Sequence, residues 1–538
     1  MVPRLPYNPA SVNPSGSPER QRSTPAFLVA SGIFLSRIAG LIRDRVFAHY
    51  FGNSDSADAF RAAFRIPNFL QNLFGEGVLS ASFIPVYARL LAEERKEEAG
   101  KVAGAIASLL AVLTSLLVLI GVLVTPALIA LIAPGFTGEK RELTIVLVRI
   151  LFPGAGLLVF SAWCLGILNS HRKFFISYVA PVIWNAAIIA TLILFGHSTQ
   201  PELAVKVAWG SVVGSGLQFL VQIPLVLRLV PHLRLVLALG AESVRTVVRN
   251  FVPVFISRGV VQISAYIDSL IASFLPTGAV AALAYAQTIY TLPVSLFGMS
   301  VSAAELPAMS SALGSEEEVG AQLRERLARG GRQIAFLVIP SVMAFLVLGD
   351  VVAAAIYQSG RFTHDDAIYV WAVLAGSTVG LLASTLGRLY ASAFYALRDT
   401  RTPLKFASLR VFLTLVLGYF AALPLPRMLH IDPRWGVAGL TASAGIAGWV
   451  EFALLRSRLG QRIGRAPLPL EFLAKVWTST AVAAAVGYFL KMRLAELHPI
   501  PMAVVVLGIY GVLFFAVAAL LRVSEAGAVL RRILPQRS

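Results

Sequence analysis

A chain of 538 residues that is 57% hydrophobic and only 14% charged, with a mean hydropathy of +0.75, does not read as a water-soluble globule. Its formal net charge of +18 invites a nucleic-acid role, but the cations flank long apolar segments in a regular way, which argues against that role. The single cysteine, Cys164, excludes an internal disulfide and a cysteine-based metal site.

Residues 1–24, rich in Pro, Ser and Arg, are predicted to form a disordered cytoplasmic tail. The apolar segment that follows is too long for a signal peptide and carries Arg37, Arg43 and Asp44. From there, segments of membrane-spanning size are predicted at 25–50, 57–91, 101–133, 142–170, 177–197, 203–228, 243–275, 278–312, 328–358, 365–397, 404–425, 434–456, 470–491 and 499–522. The expected fold is an all-α polytopic membrane protein of about 14 transmembrane helices. With that count, alternate loops hold about 28 Lys and Arg on one side against about 7 on the other, which places both termini in the cytoplasm.

The second span is the least ordinary. Asp58, Arg61, Arg65, Asn68, Asn72 and Glu76 recur at intervals of three or four, so they share one helical face. That stripe runs about 27 Å, against about 30 Å for the hydrocarbon core, and is expected to line a polar path through most of the membrane. In the first span Arg37 and Asp44 share a face, while Arg43 points roughly 120° away. The seventh presents Arg258 and Gln262 on one face, with Ser264 and Asp268 on an adjacent one.

A repeat organises the chain. Leu73-Phe74-Gly75-Glu76-Gly77-Val78, with Pro85 downstream, resembles Leu296-Phe297-Gly298-Met299-Ser300-Val301, with Pro307. Each copy lies in the second span of a six-span block, so the blocks are expected to be parallel repeats around a midplane site. The predicted organisation is a six-helix half at 25–240, a second at 241–460, and two additional helices with a cytoplasmic tail at 461–538. The halves are expected to form a V around a central cavity.

An Arg or Asp at the centre of a span costs about 2.5–3.5 kcal/mol, so these groups are expected to face a cavity and not lipid. Arginine's planar fork binds phosphate in a bidentate way; Arg37, Arg43, Arg65 and Arg258 are therefore candidate contacts for a phosphate-bearing substrate. Plainer readings stand beside this. Arg45 and His49 snorkel to the interface; Arg61 either pairs with Asp58 as helix support or serves function. Asn68 and Asn72 are either interhelical glue or ligand contacts. Arg388 and Arg410, close to predicted helix ends, are read as structural. No nucleophile elbow, phosphate-binding loop, dinucleotide fingerprint or His-x-x-x-His pair is present, and no metal site is expected.

These residues carry a resemblance. Ser36-Arg37-Ile38-Ala39-Gly40, Arg43-Asp44, Phe51-Gly52, Asp58-Ala59-Phe60, Arg65-Ile66-Pro67-Asn68, Gly75-Glu76-Gly77 and Phe83-Ile84-Pro85 are similar to the opening of the MurJ (MviN) family of lipid II flippases. Pro134-Gly135-Phe136, Gln262-Ile263-Ser264, Ala272-Ser273-Phe274-Leu275 and Thr402-Pro403-Leu404-Lys405 continue it, from about residue 25 to 460. The resemblance implies a fold of the multidrug/oligosaccharidyl-lipid/polysaccharide superfamily and a transporter, not an enzyme. Its substrate would be lipid II, the undecaprenyl-diphosphate-linked disaccharide-pentapeptide of cell wall biogenesis, moved to the outer leaflet of the bacterial cytoplasmic membrane by alternating access. Partners are then lipid II and membrane lipids, with no nucleic acid and no cofactor.

By the same resemblance Arg37, Arg43 and Arg65 bind substrate, with Asn68 placed beside them, and Asp44, Asp58 and Glu76 balance charge or gate. Three departures stand out. Gln71 replaces a common second-span arginine, and Gln287-Thr288 replaces a common eighth-span Asp-Arg pair; Arg258 is expected to supply that missing cation. A sodium site of some relatives has an acid matching Asp268, a possible ion site, but its eleventh-span ligands read Thr414 and Gly418. Coupling to Na+, H+ or membrane potential stays open. The alternatives are another exporter of the superfamily, for a polysaccharide-linked lipid or a drug, and a membrane-bound transferase.

Overall fold

The structure, a computed structural model, describes residues 19–74, 76–236, 240–251, 266–311, 315–466 and 468–527. Among them there is no β-strand, only a single bridge between Ser359 and Phe362. The first span is one long helix, α1 (Glu19–Phe51), which turns at residues 52–54 into α2 (Asp55–Phe74). The described part of the second span comprises α2, α3 (Glu76–Ser82) and, after a turn at Phe83, α4 (Ile84–Ala92); residue 75, between α2 and α3, lies outside the described residues. Proline at 85 sits in the first turn of α4, where its missing N–H costs no helical bond.

The third predicted span divides likewise into α5 (Lys96–Leu123) and a short α6 (Thr125–Ile132). Then come α7 (Gly138–Ser170), α8 (Phe174–Phe195), α9 (Gln200–Leu229), α10 (242–251) and α11 (Ile267–Ala272). The eighth span is α12 (Ala279–Pro293), a π-helical stretch (Val294–Met299) and α13 (Ser300–Ser310). The remainder comprises α14 (Glu316–Tyr357), α15 (His364–Thr378), α16 (Leu381–Ala396), α17 (Arg401–Ala422), α18 (Pro424–Met428), α19 (Gly436–Ile463), α20 (Leu470–Arg493) and α21 (Pro499–Leu520). Capping boxes start two of these: Ser315 with Glu318 on α14, and Thr363 with Asp366 on α15.

Ten described helical segments are long and apolar enough to cross a membrane, or eleven if the bent pair α15–α16 counts as one span. The sequence count of fourteen adds the charged α1 and α2, and a seventh span whose residues 252–265 lie outside the described ones. The second copy of the repeat falls over the π-helical stretch, while the first includes residue 75, which lies outside the described residues.

Helices up to α9 pack chiefly against one another, and those from α12 to α19 do likewise. Within the second group small residues let backbones touch: a Cβ on Gly380 would lie 2.5 Å from the Gly445 Cα, at the 40° bend between α15 and α16. The final pair, α20 and α21, packs on α14. Lys491 reaches the buried Asp350 at 2.6 Å, Arg332 pairs with Glu525 at 2.6 Å, and the Phe514 ring packs tilted against Phe336.

Candidate substrate cavity and its closure

The polar faces of α1 and α2 meet α12 around a cavity of about 670 Å³, a size typical of ligand sites. Arg37, Arg43 and Asp44 enter from α1, Arg61, Arg65 and Asn68 from α2, and Gln287 and Thr288 from α12. Four guanidinium groups thus line it against one carboxylate.

That carboxylate is a hub. Asp44 Oδ1 accepts from Arg43 Nη2 at 3.0 Å and from Arg61 Nη1 at 3.2 Å, while Oδ2 accepts from Thr288 at 3.3 Å. Arg43 was expected to point away from the Arg37–Asp44 face, yet its long side chain folds back onto Asp44 and passes 5.3 Å above the Trp184 ring. Arg61 does not pair with Asp58. It lies between the rings of Phe47 (4.5 Å) and Tyr285 (4.9 Å), and its Nε and Nη2 are buried without a hydrogen-bond partner. Arg37 donates to Ser295 at 2.6 Å across the seam between the two helix groups. Arg65 has no ion-pair partner among the described residues.

Asp58 is not in this cavity, which corrects the expectation of one continuous polar path. It is 1% exposed and sits where α2 meets the start of α12. Its two oxygens accept the Gly278 and Ala281 amides, each at 2.8 Å, and Lys140 Nζ at 2.6 Å. The carboxylate therefore caps the positive end of α12 while a lysine from α7 balances its charge. Lys140 also holds Asp55 at 2.9 Å.

The same side of the molecule is knitted together around the α1–α2 corner. Asn53 donates to Asp366 at 3.2 Å, Arg361 N to the His49 carbonyl at 2.8 Å, and the Tyr285 hydroxyl to the Gly52 carbonyl at 3.1 Å. Arg45 does not snorkel; its Nη1 donates to the Ala355 and Ile356 carbonyls at the end of α14, at 2.6 and 2.8 Å. Gly52 and Gly278 both hold positive φ, and a Cβ on Gly278 would lie 2.8 Å from the Asn53 carbonyl oxygen.

Asp268 lies apart from the arginine cluster, in a second cavity of about 140 Å³ that Arg410 also lines. Arg410 is near the middle of α17 and not at a helix end; it pairs with Glu451 at 3.0 Å. At Gly418 an added Cβ would meet Leu440 at 2.8 Å and Ile271 at 3.6 Å. Among the described residues no three His, Cys, Asp or Glu side chains converge as metal ligands. Arg258, Gln262 and Ser264 lie outside the described residues, as do the side chains of Gln71, Asn72 and Glu76.

Sequence reasoning missed Lys140, Trp184 and Tyr285. Lys140 looked like one more loop cation, although the Pro276-Thr277-Gly278 turn before α12 was a readable sign of a helix start needing a partner.

Residues 47–507 match the family model described as lipid II flippase MurJ. The chain is 30% identical over 510 residues to the lipid II flippase MurJ of Burkholderia cenocepacia, covering 91% of this chain and 96% of that one. It is 30% identical over 427 residues to the probable lipid II flippase MurJ of Rickettsia prowazekii, covering 79% and 81%. In fold it is similar to a solved lipid II flippase MurJ in an inward closed conformation, with a TM-score of 0.75 at 24% identity over 92% of this chain and 98% of that one. An inward-facing multidrug MATE transporter of the MOP superfamily is similar at a TM-score of 0.62 and 18% identity, covering 81% and 98%.

Proposed function

From the premise that this chain belongs to the MurJ family of lipid II flippases, we propose that the arginine cavity holds the diphosphate of the lipid-linked peptidoglycan precursor during its passage across the membrane. The observation that carries this reading is the excess of four guanidinium groups over one carboxylate around a single cavity. A diphosphate presents several anionic oxygens, and arginine forks bind such groups bidentately. Asp44 holds Arg43 and Arg61, which offsets part of the cost of keeping guanidinium groups inside a membrane. Arriving phosphate oxygens compete with Asp44 for the same N–H groups, so binding rearranges a preformed network. No covalent bond is made or broken; the work is binding and reorientation.

The cation asymmetry of the loops supports a cytoplasmic-membrane protein with both termini in the cytoplasm. The corner at residues 52–54, one span away from the N-terminus, is then extracytoplasmic. The interlocked seam around Asp58, Gly278 and Asn53 closes that side, and the cavity takes substrate from the cytoplasmic leaflet. Opening the seam requires Asp58 to release the α12 amides, which makes Asp58 and Lys140 gating residues and not substrate ligands. The test is rescue of bacteria depleted of their own lipid II flippase, with outer-leaflet lipid II measured by a membrane-impermeant reagent. Rescue by the native chain and its loss on Arg43→Ala, at equal protein level, is the expected result; rescue by Arg43→Ala, Arg61→Ala and Arg65→Ala alike would remove the diphosphate reading.

A further inference from the structure

The second cavity has no role in the account above. Its hydroxyls are satisfied locally: Tyr290 and Ser384 meet at 3.1 Å, and Thr441 donates to the Val373 carbonyl at 2.9 Å. Arg410 is paired with Glu451. Asp268 is the exception, because its Oδ1 is buried and accepts no hydrogen bond. A buried carboxylate oxygen left without a hydrogen bond is costly inside a membrane protein, and nearby cations offset that cost.

Two cations are placed to do this. Arg410 lines the second cavity together with Asp268, and Arg65 lines the neighbouring arginine cavity. Gln287 lines both cavities, so the two are neighbours separated by one side chain. The level is fixed by Tyr266, two residues before Asp268, whose hydroxyl donates to the Arg65 carbonyl at 2.6 Å. Asp268 therefore stands between one arginine of the first helix group and one of the second.

We propose that Asp268 is a positioning residue for transport, a shared counter-ion that neutralises Arg65 while the arginine cavity is vacant and turns to Arg410 when a diphosphate takes Arg65. Occupancy of the first cavity is thereby reported to α17 and α19, which carry Arg410 and Glu451. In this arrangement Arg410 is the resident cation of the second cavity, and no alkali ion is needed there. The proposal rests on the reading that the arginine cavity binds a diphosphate.

The test uses the full-length protein in lipid nanodiscs, with inorganic pyrophosphate as probe and lipid II flipping as second readout. Asp268→Asn keeps shape but removes the competitor for Arg65. It is expected to bind pyrophosphate about fivefold more tightly, the lower end of coupling between sites, while flipping falls to background. Arg410→Gln leaves Asp268 wholly to Arg65 and is expected to weaken pyrophosphate binding. A purely structural role would not move affinity in opposite directions in the two variants. Unchanged or weaker binding by Asp268→Asn, or tighter binding in sodium than in choline, would overturn the proposal while leaving the cavity reading intact. Failure of the unmodified protein to bind pyrophosphate, with Arg65→Ala equally inert, would overturn both.

Discussion

Lys140 and Asp58 meet at 2.6 Å, 82 residues apart in the chain, at a point where α2, α7 and the first turn of α12 converge. Both residues belong to the first helix group, and Asp58 ties that group to the second through the Gly278 and Ala281 amides. Asp58 is buried, and its three donors come from two other elements. Removing the carboxylate leaves a lysine and two helix-end amides without their acceptor.

Asp58→Ala should therefore weaken the closed seam, by about 3 kcal/mol if the loss resembles other broken buried pairs. The closed state can be read directly with a cysteine pair at Asn53→Cys and Asp366→Cys, whose side chains are in contact in the native protein. Crosslinking yield should fall sharply when Asp58→Ala is added. An unchanged yield would mean that the seam does not depend on this carboxylate.

The glycine at 278 offers a test of the same seam without touching charge. Its φ of 86° and the 2.8 Å approach of the Asn53 oxygen leave no room for a methyl group. Gly278→Ala should cost about 1–2 kcal/mol from the left-handed backbone alone, plus the displacement of Asn53. Gly508→Ala on α21, where nothing lies within 4 Å, serves as the control and should be silent. Equal thermal stability of the two variants would contradict this account.

Much of the cavity was legible because charge inside a span is expensive, so Arg37, Arg43, Asp44 and Arg65 stood out against an apolar background. Their partners were not. Arg61 and Asp44 sit on different helices, and their pairing depends on the turn at 52–54 and on the rings of Phe47 and Tyr285, none of which periodicity reports. Periodicity also carried the stripe too far: it assigns a face on one helix, but Asp58 meets the end of α12 before the cavity begins. The second cavity is lined from six helices, α11, α12, α15, α16, α17 and α19, largely by hydroxyls and small residues, a pattern with no local signature. The break after Leu123 was hidden inside a long apolar run.

The docking of α20 on α14 should depend on their ion pair. Asp350 is 7% exposed and Lys491 reaches it at 2.6 Å from α20. Lys491→Met removes the cation and strands the carboxylate, at a cost of about 3 kcal/mol. Asp350→Asn in the same chain should recover most of that loss, because the stranded charge disappears with it. Detergent thermal melts of the single and double variants check this; a double variant no better than the single would show that packing, and not charge, fixes α20.

The last prediction concerns position 288, where members of this family were expected to carry an arginine and this chain has threonine. Thr288 lines the arginine cavity and its hydroxyl donates to Asp44 at 3.3 Å. A guanidinium placed there would therefore reach the carboxylate that now holds Arg43 and Arg61. Arg43→Ala should abolish flipping with normal insertion, because it removes a phosphate contact while α1 becomes less charged. Adding Thr288→Arg returns a cation to the same hub from α12 and should restore part of the activity. The same change should not rescue Asp58→Ala, whose defect lies in the seam and not in the cavity. Outer-leaflet lipid II, normalised to folded protein, measures all four chains. Rescue of both defects, or of neither, would show that position 288 does not act through Asp44.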